Sequence, residues 1–89
     1  MNGVYLRKIE GPRTVMLPNG QALSQADLPE PDCKRWVASR KAVLVKAVEF
    51  GLIEKSTALE RYGLSVEEFT EWRQAFIDQG EIGLRATQR

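Results

Sequence analysis

The chain has 89 residues, enough for one domain built around a single hydrophobic core. Hydrophobic residues make up 43% of the chain and charged residues 28%, proportions that are typical of globular proteins and argue against a disordered chain. The net charge is +1. Because the chain contains one cysteine and no histidine, an intramolecular disulfide, a Cys/His zinc site and a histidine-activated nucleophile are excluded.

Charge is distributed unevenly along the chain. Residues 1–46 contain eight basic and four acidic side chains, a net charge of +4, whereas residues 47–80 contain three basic and seven acidic ones, a net charge of −4. Such asymmetry is typical of proteins that meet charged partners. No apolar run approaches the roughly 20 residues of a membrane span, and Arg7, Lys8 and Glu10 interrupt any signal-peptide-like segment, so we expect a cytoplasmic protein.

Residues 1–31 are predicted to form an extended N-terminal segment that packs on a helical core. Within it, Pro18-Asn19-Gly20 separates two short apolar runs. The Asn-Gly pair can supply the positive φ angles of a type I′ turn, so this pattern predicts a small β-hairpin. A further extended piece is predicted at Val4-Tyr5-Leu6, and the proline-containing connector over 27–31 stops any helix before residue 32.

Helix one is predicted to begin at the N-cap residue Asp32 and to end near Phe50. At 100° per residue one broad face collects its apolar side chains, namely Trp36, Val37, Val43, Leu44, Ala47 and Val48. Arg40 lies near the centre of this face, where a buried guanidinium would need a carboxylate such as Glu60 or Glu68. A structural ion pair and a side chain that extends to the edge of the face are the alternatives to a functional role.

A helix-turn-helix pattern follows helix one. Helix two is predicted over residues 54–62 or 56–62, and Gly63 can adopt the positive φ that ends a helix. Ser65 is the predicted N-cap of the next helix, with Glu68 three residues later completing a capping box. These signals predict a tight, well-defined turn.

Helix three is predicted from Val66 to Gln79, with core aromatic residues at helical spacing, Phe69, Trp72 and Phe76. Residues 32–80 are therefore predicted to be a three-helix core, giving a mainly α protein of Trp-repressor-like type. Residues 81–89 are predicted to be a loosely ordered C-terminal tail from which Ile82 or Leu84 docks on the core.

Two regulatory functions fit a helix-turn-helix. When such a motif binds DNA, its second helix enters the major groove, but helix three exposes Glu67, Glu71 and Asp78, which phosphates would repel. We therefore expect a regulator that acts through protein contact, with a partner-binding set on and before helix one, Arg35, Arg40, Lys41 and Lys46. The alternative is a direct sequence-specific DNA-binding repressor that uses Lys34, Arg35, Thr70, Arg73 and Gln74.

An enzyme is not predicted. The sequence contains no general-base histidine, no cluster of metal-ligating residue types and no phosphate-cradling glycine loop. We accordingly predict no catalytic residue, no metal, no cofactor and no small-molecule substrate.

A combination of short motifs spans nearly the whole chain, Pro18-Asn19-Gly20, Arg35-Trp36-Val37, Arg40-Lys41-Ala42, Glu60-Arg61-Tyr62, Val66-Glu67-Glu68-Phe69 and Gly83-Leu84-Arg85-Ala86-Thr87. In this combination and spacing the sequence resembles the small CtrA-inhibitory protein (SciP) family of alphaproteobacteria. Gly63 and Ser65 depart from that family, whose members carry Ser and Thr there, although both are compatible with the same turn and cap.

The resemblance implies a Trp-repressor-like helical fold and a role in cell-cycle transcription. It implies as partner a response-regulator transcription factor of the CtrA type, whose activation of promoters is blocked without its displacement from DNA. Direct binding to promoter DNA has also been proposed for the family. The family's Arg-Trp-Val-x-x-Arg-Lys pattern matches Arg35, Trp36, Val37, Arg40 and Lys41.

Overall fold

The computed structural model of the chain describes residues 13–87, and the extended piece predicted at Val4-Tyr5-Leu6 lies outside them. In chain order the elements are β1 (Thr14–Met16), β2 (Ala22–Ser24), a 3₁₀ helix (Gln25–Asp27), α1 (Ala38–Glu49), α2 (Lys55–Tyr62), α3 (Val66–Gln79) and a C-terminal 3₁₀ helix (Gly80–Ala86). The predicted mainly α fold with a short N-terminal hairpin is thus confirmed. Within residues 13–87, no helix has the length and apolar character that crossing a membrane would require.

The hairpin pairs β1 and β2 antiparallel, with Val15 opposite Leu23. The Gly20 N–H donates to the Leu17 carbonyl at 2.9 Å, so Pro18 occupies the second position of the turn. Because proline fixes φ near −65°, the predicted type I′ turn, which needs positive φ at both central residues, is wrong. Leu17 and Leu23 are buried in the main core, so the ribbon packs on the helices.

α1 begins at Ala38, six residues after the N-cap predicted at Asp32, and its N-cap residue is Val37. Val37 is extended, and Trp36 before it packs against Tyr62 of α2 and Trp72 of α3. The Arg35 carbonyl, which would accept a main-chain N–H in a longer helix, instead accepts the Arg40 guanidinium at 2.9 Å. A tertiary contact and a side-chain hydrogen bond therefore set the start of α1.

α1 is buried over a wide face, about 220° of its circumference at 100° per residue, because α2, α3 and the C-terminal 3₁₀ helix all contact it. Its buried residues are Lys41, Ala42, Leu44, Val45 and Ala47. The prediction that Arg40 lies at the centre of the buried face is wrong, because Arg40 is exposed and the neighbouring Lys41 is inside. Because the buried face is this wide and polar residues lie on both of its edges, a helical wheel does not locate its centre.

The turn between α2 and α3 follows the predicted pattern. Gly63 takes φ +63° and ψ +39°, and its N–H donates to the Leu59 carbonyl. The Glu68 N–H donates to Ser65 Oγ at 3.0 Å, and the Ser65 N–H donates to Glu68 Oε1 at 3.0 Å. The capping box is confirmed, and it fixes the first turn of α3.

The C-terminal segment is folded, which corrects the expectation of a loosely ordered tail. Its 3₁₀ helix contacts α1 and α3, and Leu84 is fully buried whereas Ile82 is 65% exposed. Gly83 lies so close to α3 that a Cβ at this position would be 2.7 Å from the Ala75 carbonyl oxygen. Docking of this segment therefore depends on the absence of a side chain at residue 83.

We expect Gly83→Ala to lower the free energy of unfolding by about 1–3 kcal/mol, the range for overpacking a tight contact. This loss outweighs the roughly 0.4–1 kcal/mol that Gly→Ala gains by restricting the unfolded chain. Urea unfolding followed by tryptophan fluorescence measures the effect. Ala86→Ser, an exposed position in the same 3₁₀ helix, should change stability by no more than about 0.5 kcal/mol. Equal stabilities of the two variants would contradict the tight packing at Gly83.

Candidate basic interface at the start of α1

Arg35, in the segment just before α1, and Arg40, in the first turn of α1, are linked by a hydrogen bond to the Arg35 main-chain carbonyl. The Arg40 guanidinium donates to the Arg35 carbonyl at 2.9 Å and lies 3.6 Å from Cys33 Sγ. The Cys33 thiol donates to the same carbonyl at 3.4 Å. Arg40 is thus folded back over the segment, and Lys34, Arg35 and Arg40 are all exposed at this end of α1.

Aromatic contacts hold this segment on the helices. The Trp36 ring meets Tyr62 edge to face with centroids 5.4 Å apart, and its centroid lies 5.2 Å from that of Trp72. The Tyr62 hydroxyl donates to the Pro29 carbonyl at 2.7 Å, and burial raises the pKa of the phenol. Because Trp36 is inserted in the core, the preceding Lys34 and Arg35 are left on the surface.

The N-terminus of α1, which is the positive end of the helix dipole, lies beside these cations. The N-cap residue Val37 has no side-chain acceptor for the first main-chain N–H groups of the helix. A helix N-terminus carries a partial positive charge equivalent to about half an elementary charge. The three cations and the helix terminus therefore give this end a positive potential, which the carboxylates of Asp27 and Glu30, in the lining of the same cavity as Arg40, partly offset.

A fourth cation comes from the C-terminal 3₁₀ helix. Arg85 is exposed and lines a cavity of about 430 Å³ together with residues 36–39 of the α1 start, and Glu81 lies in the same lining. Arg85 was not among the predicted contact residues, because the tail around it was expected to be loosely ordered. Apolar Leu84 beside it was the available signal that this segment docks. We call Lys34, Arg35, Arg40 and Arg85 the basic end.

Lys41, predicted as a contact residue, lies inside the protein. It is 2% exposed, and its Nζ donates to Thr87 Oγ1 at 2.7 Å and lies 5.1 Å from the centroid of the Trp72 ring. Desolvation lowers the pKa of Lys41, while the carboxylate of Glu71 acts in the opposite direction. Lys41 therefore holds the C-terminal segment, and in this conformation its ammonium group is not presented to a partner.

Lys46 is half-buried and belongs to a different part of α1. It follows Arg40 by six positions, which places it about 9 Å along the helix axis and about 120° around it. The structure thus does not bring Lys46 to the basic end. Arg40 bonds to the Arg35 carbonyl rather than to Glu60 or Glu68, the partners predicted for it.

Two of the α3 residues of the DNA-binding alternative, Arg73 and Gln74, form side-chain hydrogen bonds, whereas Thr70 is exposed. Arg73 Nε donates to Glu49 Oε1 at 2.8 Å, and this hydrogen bond lowers the pKa of the Glu49 carboxyl. The Gln74 amide donates to Asp78 at 3.0 Å. Base contacts from either residue would first require these exposed bonds to open, a small barrier for surface pairs.

Comparison with known proteins identifies relatives that cover most of the chain. Residues 7–89 match the family described as "Protein of unknown function (DUF1153)". A Rhodobacter sphaeroides protein solved by NMR is 55% identical, with 93% of this chain and 87% of that chain covered and a TM-score of 0.73. A second NMR structure, a structural genomics target, is 45% identical, with coverages of 92% and 86% and a TM-score of 0.61. No curated protein matches the chain.

We expect Tyr62→Phe to lower the free energy of unfolding by about 0.5–1.5 kcal/mol at neutral pH, because the hydrogen bond to Pro29 is lost. Since the phenol pKa is raised above its usual 10.0 on folding, the unfolded chain ionises first. The parent protein should therefore lose stability as the pH rises above 10, and the variant should lack this component. Urea midpoints measured for both proteins across this pH range test the prediction. Identical alkaline slopes would show that the hydroxyl is not buried against Pro29.

Proposed function

The chain belongs to the DUF1153 family of proteins of unknown function, and we propose that it is a cell-cycle transcriptional regulator that binds a CtrA-type response regulator and inhibits its activation of promoters. The basic end is the observation that carries this proposal. Arg40 and Arg85 line two cavities beside the start of α1, which also include Glu30 and Glu81, and Lys34 and Arg35 are exposed just before the helix. These cations suit an acidic surface on a partner protein, where charge complementarity increases the association rate and fixes the orientation. Arg35 and Arg40 also belong to the motif that resembles the SciP family.

The charge of α3 supports protein contact over direct reading of DNA. This helix contains four carboxylates and one arginine, a net charge of −3. The arginine, Arg73, is bound to Glu49. A major groove lined by phosphates would repel such a helix. The cations lie instead at the start of α1, which suits a regulator that acts on a protein already bound to the promoter.

A direct DNA-binding repressor is the second candidate. The αL turn at Gly63 and the capped start of α3 give the geometry of a helix-turn-helix. Lys34 and Arg35 could contact phosphates in this case, with Thr70, Arg73 and Gln74 as the residues nearest to bases. Affinity based on phosphate contacts falls steeply with salt, whereas a protein interface with apolar anchors is less sensitive.

We expect Arg35→Ala and Arg85→Ala each to weaken binding to the complex of response regulator and promoter by at least about fivefold, or about 1 kcal/mol. Lys55→Ala removes one exposed charge at the start of α2 and should leave binding unchanged. Fluorescence anisotropy on labelled promoter DNA, with and without the response regulator and at two salt concentrations, measures these affinities.

Binding that requires the response regulator supports the proposal. Tight, salt-sensitive binding to promoter DNA alone would favour the repressor. If the Lys55 variant lost as much affinity as the other two, the basic end would have no specific role. Arg40→Ala is a less suitable test, because the Arg40 guanidinium also donates a hydrogen bond to the segment before α1.

A further inference from the structure

The side chain of Lys41 ties the C-terminal segment to α1. Its ammonium group donates to Thr87 Oγ1 at 2.7 Å, to the Thr87 carbonyl at 3.3 Å and to the Leu84 carbonyl at 3.5 Å. The Thr87 hydroxyl in turn donates to the Leu84 carbonyl at 2.7 Å. Because an ammonium group has three N–H donors, one side chain engages both ends of the turn formed by residues 84–87. We call these bonds the Lys41 latch.

Arg85 lies inside the turn that the Lys41 latch closes. Leu84 before it is fully buried, whereas Arg85 is exposed and lines the cavity together with residues 36–39. The acceptors of the latch lie on both sides of Arg85 in the sequence, so the main chain that carries this arginine is fixed relative to α1. The latch therefore determines where the Arg85 guanidinium can reach at the basic end.

We propose that Lys41 controls binding at the basic end without contacting the partner, as a positioning residue that acts through Thr87 and Arg85. This inference rests on the proposed function, because it concerns the same binding surface. Lys41 is 2% exposed, and its Nζ lies 5.1 Å from the centroid of the Trp72 ring. While the C-terminal segment is docked, its ammonium group is shielded from the carboxylates of a partner.

A direct role for Lys41 would require a different conformation. The C-terminal segment would have to leave α1 and α3, which exposes Leu84 to water and breaks the bonds to Thr87. The opened chain would present Lys41, but it would carry Arg85 away from the cavity. Loosening the latch therefore has opposite effects in the two cases. Binding becomes weaker if Lys41 positions Arg85, and tighter if Lys41 itself contacts the partner.

Thr87 allows the latch to be loosened while Lys41 is left intact. Thr87→Val keeps the branched shape and the main-chain carbonyl but removes the hydroxyl, whereas Thr87→Ser keeps the hydroxyl. We expect Thr87→Val to weaken binding to the complex of response regulator and promoter at least about threefold, and Thr87→Ser to retain the parent affinity. Fluorescence anisotropy with the full chain measures both affinities.

A double-mutant cycle tests whether Lys41 acts through Arg85. Lys41→Met keeps a long unbranched side chain but removes the ammonium group, and it should weaken binding about three- to fivefold. In the Arg85→Ala background the same change should cause no further loss, because the two residues act as one unit. Independent contributions would multiply instead. Lys55→Met, at an exposed position at the start of α2, is the matched control and should leave binding unchanged.

Amide hydrogen exchange of the free protein reports on the latch without any partner. Thr87→Val and Lys41→Met should accelerate exchange in residues 80–87 at least about threefold, and Thr87→Ser should not. Unchanged protection in α2 shows that each variant is folded, so a loss of binding is then assigned to the C-terminal segment.

Three results would overturn the inference. Tighter binding by Thr87→Val would assign Lys41 to direct contact with the partner. Losses that multiply in the double variant would show that Lys41 does not act through Arg85. Faster exchange in residues 80–87 with unchanged affinity would show that the latch does not control the basic end. A parent chain that fails to bind the response-regulator complex would overturn the proposed function as well, whereas a parent that binds with the same affinity as Thr87→Val would overturn this inference alone.

Discussion

The indole of Trp72 joins the parts of the molecule that create its surface charge pattern. It is fully buried, Trp36 packs against it with centroids 5.2 Å apart, and the Lys41 ammonium lies 5.1 Å from its ring centroid. Through Trp36 it fixes the segment that carries Lys34 and Arg35. Through Lys41, which binds Thr87, it fixes the segment that carries Arg85. The two chain segments that carry Lys34, Arg35 and Arg85 are thus both held next to the start of α1 through one side chain.

Burial of Lys41 is the least favourable feature of this arrangement. Removing an ammonium group from water costs several kcal/mol unless its protons are bonded, and the lowered pKa shows that desolvation exceeds the attraction of Glu71. The Thr87 carbonyl and hydroxyl accept the bonds that offset this penalty. Apolar residues could fill the same space, but they would not require Thr87 at that position. The buried charge therefore favours one register of the C-terminal segment over neighbouring ones.

Sequence reasoning succeeded where structure is determined locally and failed where distant contacts determine it. The turn from α2 to α3 was predicted because Gly63, Ser65 and Glu68 act within a few residues of one another. The predicted start of α1 was wrong because Trp36 is held by residues from α2 and α3. No local sequence pattern encodes such contacts. Arg40 was predicted to be buried and Lys41 exposed, the reverse of what is found, because the buried face of α1 is too wide for a helical wheel to locate its centre. Arg85 was missed because its position depends on Gly83 fitting against α3, and glycine alone is an ambiguous signal.

The number of available cations limits what the basic end can do on DNA. A protein that neutralises Z phosphates on duplex DNA shows a salt slope of about −0.9Z. The four cations of the basic end, as defined within residues 13–87, therefore allow a slope of at most about −3.6. Tight binders with six to ten phosphate contacts have much steeper slopes. With α3 contributing repulsion, this end is better matched to a few strong charge pairs on a protein surface, whose affinity does not depend on counterion release alone.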